Sequence, residues 1–207
     1  MKWNDEGYLL KITNFSENSV LANIFTFNHG SYNGIIYGGN SKTKKSKLQI
    51  GNKLYLTYKS KTEDSLGYFN FELINSNGFL YFNDKKRLII FNCIFEISSK
   101  IFPERQSFND VYLALDHLIN NFDEDPLKNY ALWEYDTLCS LGYGLESEEF
   151  NNFDYIPKII KNRKSDYIFE DLGVILDINK KIYEKQFFEK KINFNYRNML
   201  NSLLNYE

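Results

Sequence analysis

The apolar period of this chain changes once, and the change limits the folds open to it. Before Asn77-Gly78 the apolar residues alternate; after it they recur at helical spacing. Residues 6–13 align Tyr8, Leu10 and Ile12, and residues 19–27 align Val20, Ala22 and Ile24, with Asn14 to Asn18 read as the turn between them. A third strand is predicted over 32–37. Leu54, Leu56 and Tyr58 share a face of 52–60, and Phe69, Phe71 and Leu73 share a face of 67–74. Five short strands separated by Gly, Asn, Ser and Asp fit a small barrel. The OB-fold is the commonest five-stranded answer, and an SH3-like barrel stays open on pattern alone.

Helices follow. Leu88, Phe91, Ile94 and Phe95 mark the first, over 84–101, and Phe102-Pro103-Glu104-Arg105 ends it. Ser107 reads as the N-cap of a second, whose stripe runs from Phe108 through Tyr112 and Leu115 to Phe122. Asp125-Pro126 opens a third, stopped by Gly142. Residues 144–166 read as an irregular polar loop, acidic first (Glu146, Glu148, Glu149, Asp154) and then basic (Lys158, Lys161, Arg163, Lys164). Two more helices are predicted, at about 173–189 and 194–205. The expectation is an α+β protein: an OB-fold barrel over 1–77, then an all-helical domain over 78–207.

Charge is divided the same way. Met1 to Thr62 holds nine lysines against Asp5, Glu6 and Glu17, about +6, and the remainder is about -8. Such asymmetry points to an anionic partner for the N-terminal part. Within Ile24–Gly51, a strand breaks at His29-Gly30, resumes, and opens at Gly38-Gly39 into a run containing Lys42, Lys44, Lys45 and Lys47. A basic loop on the rim of a sheet suits a polyanion, because several lysines displace counterions together. Lys53 and Lys59 lie on the following strand. The plainer reading is a solvated lysine-rich face. Tyr32, Tyr37, Tyr55, Tyr58, Tyr68 and Phe71 lie on strands, where some fill the barrel and others are free to stack bases.

The catalytic inventory is thin. His29 precedes a glycine in a tight turn and reads as a backbone-bonding residue; His117 flanks a helical stripe. No GxxxxGK[ST], GxSxG or HExxH occurs. Glu146, Glu148 and Glu149 read as a solvated loop rather than a metal site. Cys93 and Cys139 read as separate buried thiols of a reducing compartment, and without a CxxC pair no zinc site of the usual kind is expected. The opening residues carry no signal peptide and no window has the apolar length of a membrane span, so a cytoplasmic protein without cofactor or small-molecule substrate is expected.

Several segments stand in a set order: Trp3-Asn4-Asp5-Glu6-Gly7, Phe25-Thr26 with His29-Gly30, Gly38-Gly39 with Ser41-Lys42, and Leu48-Gln49-Ile50-Gly51. Phe102-Pro103-Glu104-Arg105 and Leu141-Gly142-Tyr143-Gly144-Leu145 continue the series. Together, in this order, they resemble the RecO family of bacterial DNA repair and recombination-mediator proteins. The resemblance implies an N-terminal OB-fold and a helical C-terminal domain. It implies binding of single- and double-stranded DNA, annealing of complementary strands, and recombinase loading with RecR and RecF, without enzymatic chemistry. It also implies that the helical domain takes the acidic tail of single-strand-binding protein; Arg105 with Lys158 and Lys161 are the candidate cations for that contact. Two departures stand out. Tyr37 and Asn40 occupy places near the glycine pair where the family often has arginine, and the cysteines that follow the family's Leu-Gly-aromatic segment are absent. The zinc finger is therefore expected to be lost or reduced to the 146–166 loop. With no family in view, an RNA-binding OB-fold protein and a purely structural adaptor fit the same residues.

Overall fold

The computed structural model describes residues 1–144, 153, 155–187 and 193–204. Its N-terminal strands are β1 (Lys2–Ser16), β2 (Ser19–Thr26), β3 (Gly30–Tyr37), β4 (Lys53–Lys59) and β5 (Gly67–Asn75), with the short helix α1 (Lys42–Lys45) between β3 and β4. They close a barrel in the order β1-β2-β3-β5-β4, β4 returning to β1. All pairings are antiparallel except β3 with β5. This is the OB-fold, and the parallel closure decides between the two barrels that the alternation left open.

β1 is longer than its alternating stretch. It pairs with β4 through residues 2–8 and with β2 through residues 7–16, so it must bend to serve both neighbours. The bend is a register shift between Leu9 and Lys11, where an extra residue intervenes. The turn to β2 is only Glu17-Asn18, rather than the whole polar stretch from Asn14. Leu9, Val20, Ile24, Ile36, Leu54, Leu56 and Phe69 fill the barrel.

Tyr8 and Leu10 face outward yet are buried, and α2 (Lys85–Ile101) packs against β1. Rings meet there: Tyr8 lies 6.3 Å from Phe95 and 5.8 Å from Tyr112. Asp84 starts α2 by accepting from the Arg87 N–H at 3.0 Å. The first compact unit therefore runs from Met1 to Tyr112 and includes α2, whereas the barrel strands end at Asn75.

The helix α3 (Asn109–Asn120) begins in that unit. Ser107 does not cap its backbone as expected; its hydroxyl donates to the Asn109 side chain at 2.9 Å. The second unit, Leu113–Glu207, contains α4 (Pro126–Ser140), α5 (Lys158–Lys161), α6 (Phe169–Phe187) and α7 (Asn195–Leu204). Gly142, at φ 83°, lets the chain leave α4 in the left-handed conformation. The helix α6 starts four residues before Gly173, because the Asp171 carboxylate reaches back to accept from the Ile168 N–H at 2.9 Å.

Buried polar groups join three of these helices. Glu134 of α4 is fully buried and accepts from Tyr130, from Asn179 and Tyr183 of α6, and from Arg197 of α7. Burial alone would lower the Arg197 guanidinium's pKa, but Glu134 at 3.0 Å turns the balance and raises it. The thiols differ from expectation in one respect. Cys93 is buried and Cys139 is exposed on the last turn of α4. Residual burial still raises the Cys139 thiol, so it is not poised as a thiolate.

Candidate nucleic-acid interface

The lysine run is a turn of helix rather than a mobile loop. Ser41 caps it, its hydroxyl accepting from the Lys44 N–H at 3.4 Å. Leu48, 4% exposed, anchors the far end in the barrel core. The Asn52 side chain donates to the Lys47 carbonyl at 2.8 Å. Lys42, Lys45 and Lys47 are exposed, and none forms an ion pair among the described residues. Lys44 folds back, its Nζ donating to the Tyr37 carbonyl at 2.7 Å.

That bond links the helix to an outward strip of the barrel. The Tyr37 ring is 58% exposed and lies 5.8 Å from Tyr68. Tyr68 of β5 sits opposite Lys59 of β4, and Lys59 sits opposite Lys2 of β1. Side chains directly opposite on neighbouring strands share a face. Lysines and tyrosines are therefore contiguous from α1 to the start of β1. Lys2 and the Tyr37–Tyr68 pairing were hidden from sequence reading, since only the strand register brings them together.

The other end of this face is different. Tyr55 is exposed but sits between Glu6 and Glu72 on the flanking strands. Lys53 pairs with Glu6 at 2.9 Å and lies 5.7 Å from the Tyr8 and Tyr112 rings. Its side chain is only 13% exposed. Lys53 thus holds α3's first turn beside β1, while Lys59 joins the open strip. Tyr32 and Tyr58 are core rings.

Three of the quoted sequence segments meet at one end of the barrel. Asp5 is buried and accepts from the Glu6 and Asn28 N–H groups and from the Asn28 side chain. His29 Nδ1 lies 2.7 Å from Asp5 Oδ2, so its partner is this carboxylate rather than backbone. A carboxylate only accepts, so Nδ1 donates. Gly30, at φ 76°, leaves room for Gln106: a Cβ there would come within 1.9 Å of the Gln106 carbonyl oxygen. The following strand start is tied by the Arg105 N–H, which donates to the Ser31 carbonyl at 2.9 Å. Arg105 then reaches along the barrel, donating to the Glu63 carbonyl at 2.5 Å, with its guanidinium 5.7 Å from the Tyr32 ring. Glu104 instead takes the Asn33 side chain at 2.6 Å.

In the second unit, Lys158 and Lys161 are exposed on α5. Arg163 closes that helix by donating to the Ile159 and Ile160 carbonyls, and it pairs with Asp136. Burial raises the Asp136 carboxyl's pKa against the pull of Arg163. A cleft of about 430 Å³ adjoins this pair, lined by Leu118, Leu132 and Trp133 and by the charged Glu124, Lys128, Asp136 and Arg163. Lys158 and Lys161 do not line it. His117, exposed, is among its walls. Among the described residues no group of three His, Cys, Asp or Glu side chains is placed to hold a metal, and no helix is long and apolar enough to cross a membrane. Glu146, Glu148, Glu149, Asp154 and Leu145 lie outside the described residues.

An OB-fold barrel with a lysine–tyrosine strip, followed by a helical unit, defines the class of chain. Comparison with known proteins finds similar chains. Residues 1–77 match the family described as Recombination protein O N terminal. The chain is similar to the DNA repair protein RecO of Ruegeria sp. (strain TM1040), at 31% identity over 148 residues, covering 70% of this chain and 61% of that protein. DNA repair protein RecO of Roseobacter denitrificans is 30% identical over 151 residues, covering 72% and 62%. That of Rhodospirillum rubrum is 30% identical over 153 residues, covering 70% and 61%. The chain thus spans about three fifths of the length of these relatives.

Proposed function

We propose that this chain is a non-enzymatic DNA-binding protein of repair and recombination that anneals complementary strands. The observation that carries the proposal is the contiguous strip of Lys42, Lys44, Lys45, Lys47, Lys59 and Lys2 with Tyr37 and Tyr68 on the barrel. Lysines without carboxylate partners exchange counterions for phosphates and read no bases. The exposed Tyr37 and the half-buried Tyr68 between them offer faces to unpaired bases. Neutralising two strands on one surface lowers their mutual repulsion, which is what annealing needs. Similarity to DNA repair proteins named RecO supports DNA over RNA as the polymer.

The proposal extends to partners. RecR and RecF would act with the chain in loading recombinase. The acidic tail of single-strand-binding protein would enter the cleft of the helical unit beside Leu118, Leu132 and Trp133, with Lys128 as its cation, since Arg163 is already committed to Asp136. Lys158 and Lys161 remain proposed partner contacts outside that cleft; Arg105, on the barrel with its guanidinium over Tyr32, is proposed for DNA instead.

The test is annealing of complementary oligonucleotides by the purified chain, with affinities for single-stranded DNA, duplex DNA and RNA at two salt concentrations. Accelerated annealing with salt-sensitive binding of both DNA forms is expected. Binding of RNA alone would give the barrel to another polymer, and binding of none would leave a structural adaptor.

A further inference from the structure

Three rings stack in a column that runs outward at the end of the barrel where the sequence segments converge. Tyr58 is buried at its base. Trp3 stacks on Tyr58 with ring centres 4.8 Å apart and planes at 22°. His29 stacks on Trp3 at 4.1 Å and 9°. The His29 side chain keeps 29% of its surface exposed. Its Nε2 makes no hydrogen bond among the described residues.

The Asp5 bond alone does not account for a ring here. Asp5 already accepts from two backbone N–H groups and the Asn28 amide. Any short donor would complete its shell; an aromatic ring is needed only to continue the column. The Asp5 bond also fixes the ring plane parallel to Trp3, so the outer face is preorganised.

A second observation lies beside it. The Tyr32 ring stands edge-on to Trp3 at 5.1 Å and carries the Arg105 guanidinium. Arg105 has φ 59°, a left-handed conformation that a branched-chain-free but bulky L residue seldom adopts. Its ion pair with Asp64 is long, 3.7 Å, and Asp64 is fully exposed, so a phosphate can exchange for it.

We propose that the outer face of His29 is a stacking platform for an unpaired base of single-stranded DNA, with Arg105 holding an adjoining phosphate. The inference rests on the DNA-binding reading above. In a duplex both faces of each base are covered by neighbours, so the platform selects single strands. It reads no sequence, because every base offers a π face.

The experiment compares oligothymidylate with an abasic oligomer of equal length, which keeps the phosphates and removes the bases. The folded wild-type chain should prefer the thymidine strand. His29→Asn, which keeps a donor for Asp5 without the ring, should reduce that preference about tenfold, within the range for one stacked base. His29→Phe should retain it. Where Asn disturbs folding, His29→Phe against His29→Leu carries the comparison, since both lose the Asp5 bond and only one keeps a ring. An unchanged preference in His29→Asn, or equal preference in the Phe and Leu variants, overturns the platform. Equal wild-type affinity for both oligomers overturns it while leaving DNA binding intact; binding of neither overturns the DNA reading itself.

Discussion

The two units put their cations to opposite uses. The barrel keeps Lys42, Lys45 and Lys47 in solvent, held by a capped turn and without carboxylate partners among the described residues. The helical unit draws Arg197 inside, 4% exposed, and surrounds it with Glu134, Asn201 and the Leu176 carbonyl. A cation in water has its charge available to a ligand; a cation in the core is committed to its partners. The difference teaches where to look for function, since a net charge of -2 over the chain conceals a surface strip that is locally positive.

The comparison is tested most forcefully at its buried end. Arg197→Ala leaves Glu134 and its hydroxyl and amide donors without their cation, and should destabilise the helical unit by about 3–5 kcal/mol. Denaturant unfolding reads that loss. Single-stranded DNA affinity of the folded protein should not change, and a parallel loss of affinity would show that the units do not divide these tasks.

Tyr37→Ala with Tyr68→Ala is the next largest. Loss of these rings should weaken single-stranded DNA binding by about 1–3 kcal/mol per stacked base, with the salt slope little altered. Unchanged affinity would reduce the strip to its lysines. Lys53→Ala should do least to DNA binding. Its charge is paired with Glu6 and its side chain is largely buried beside Tyr8 and Tyr112, so stability should fall by about 1–3 kcal/mol while the salt slope of DNA binding should stay put. A shallower slope in Lys53→Ala would move the interface toward the Glu6 end of the barrel.

Much of the fold is legible in the residues. Alternation such as Leu54, Leu56 and Tyr58 locates strands because one face is buried, and Pro126 and Gly142 mark the ends of α4 by backbone chemistry alone. What alternation cannot carry is a change of face. The extra residue near Leu10 lets β1 continue past its apolar pattern, and α2 buries the outward Tyr8. Polar Lys-Thr-Lys-Lys reads as loop because nothing in it faces a core; its helical turn comes from the Ser41 cap and the Leu48 anchor. The site is least legible of all. Trp3, His29 and Arg105 meet only through closure of the barrel and the path of the chain after α2, and Lys53 differs from Lys59 only through Glu6 across the strand.

The most direct measurement is the salt dependence of single-stranded DNA binding for the variant with Lys42, Lys44, Lys45 and Lys47 all changed to Ala. If each contacts one phosphate, the slope of log affinity against log salt should become shallower by about 3, from roughly 0.7 per contact. Thermal stability should fall only slightly, because the exposed lysines contribute little to it and only the Lys44–Tyr37 hydrogen bond is lost. Annealing should fall together with binding. An unchanged slope with full annealing would contradict a barrel interface built on this helix.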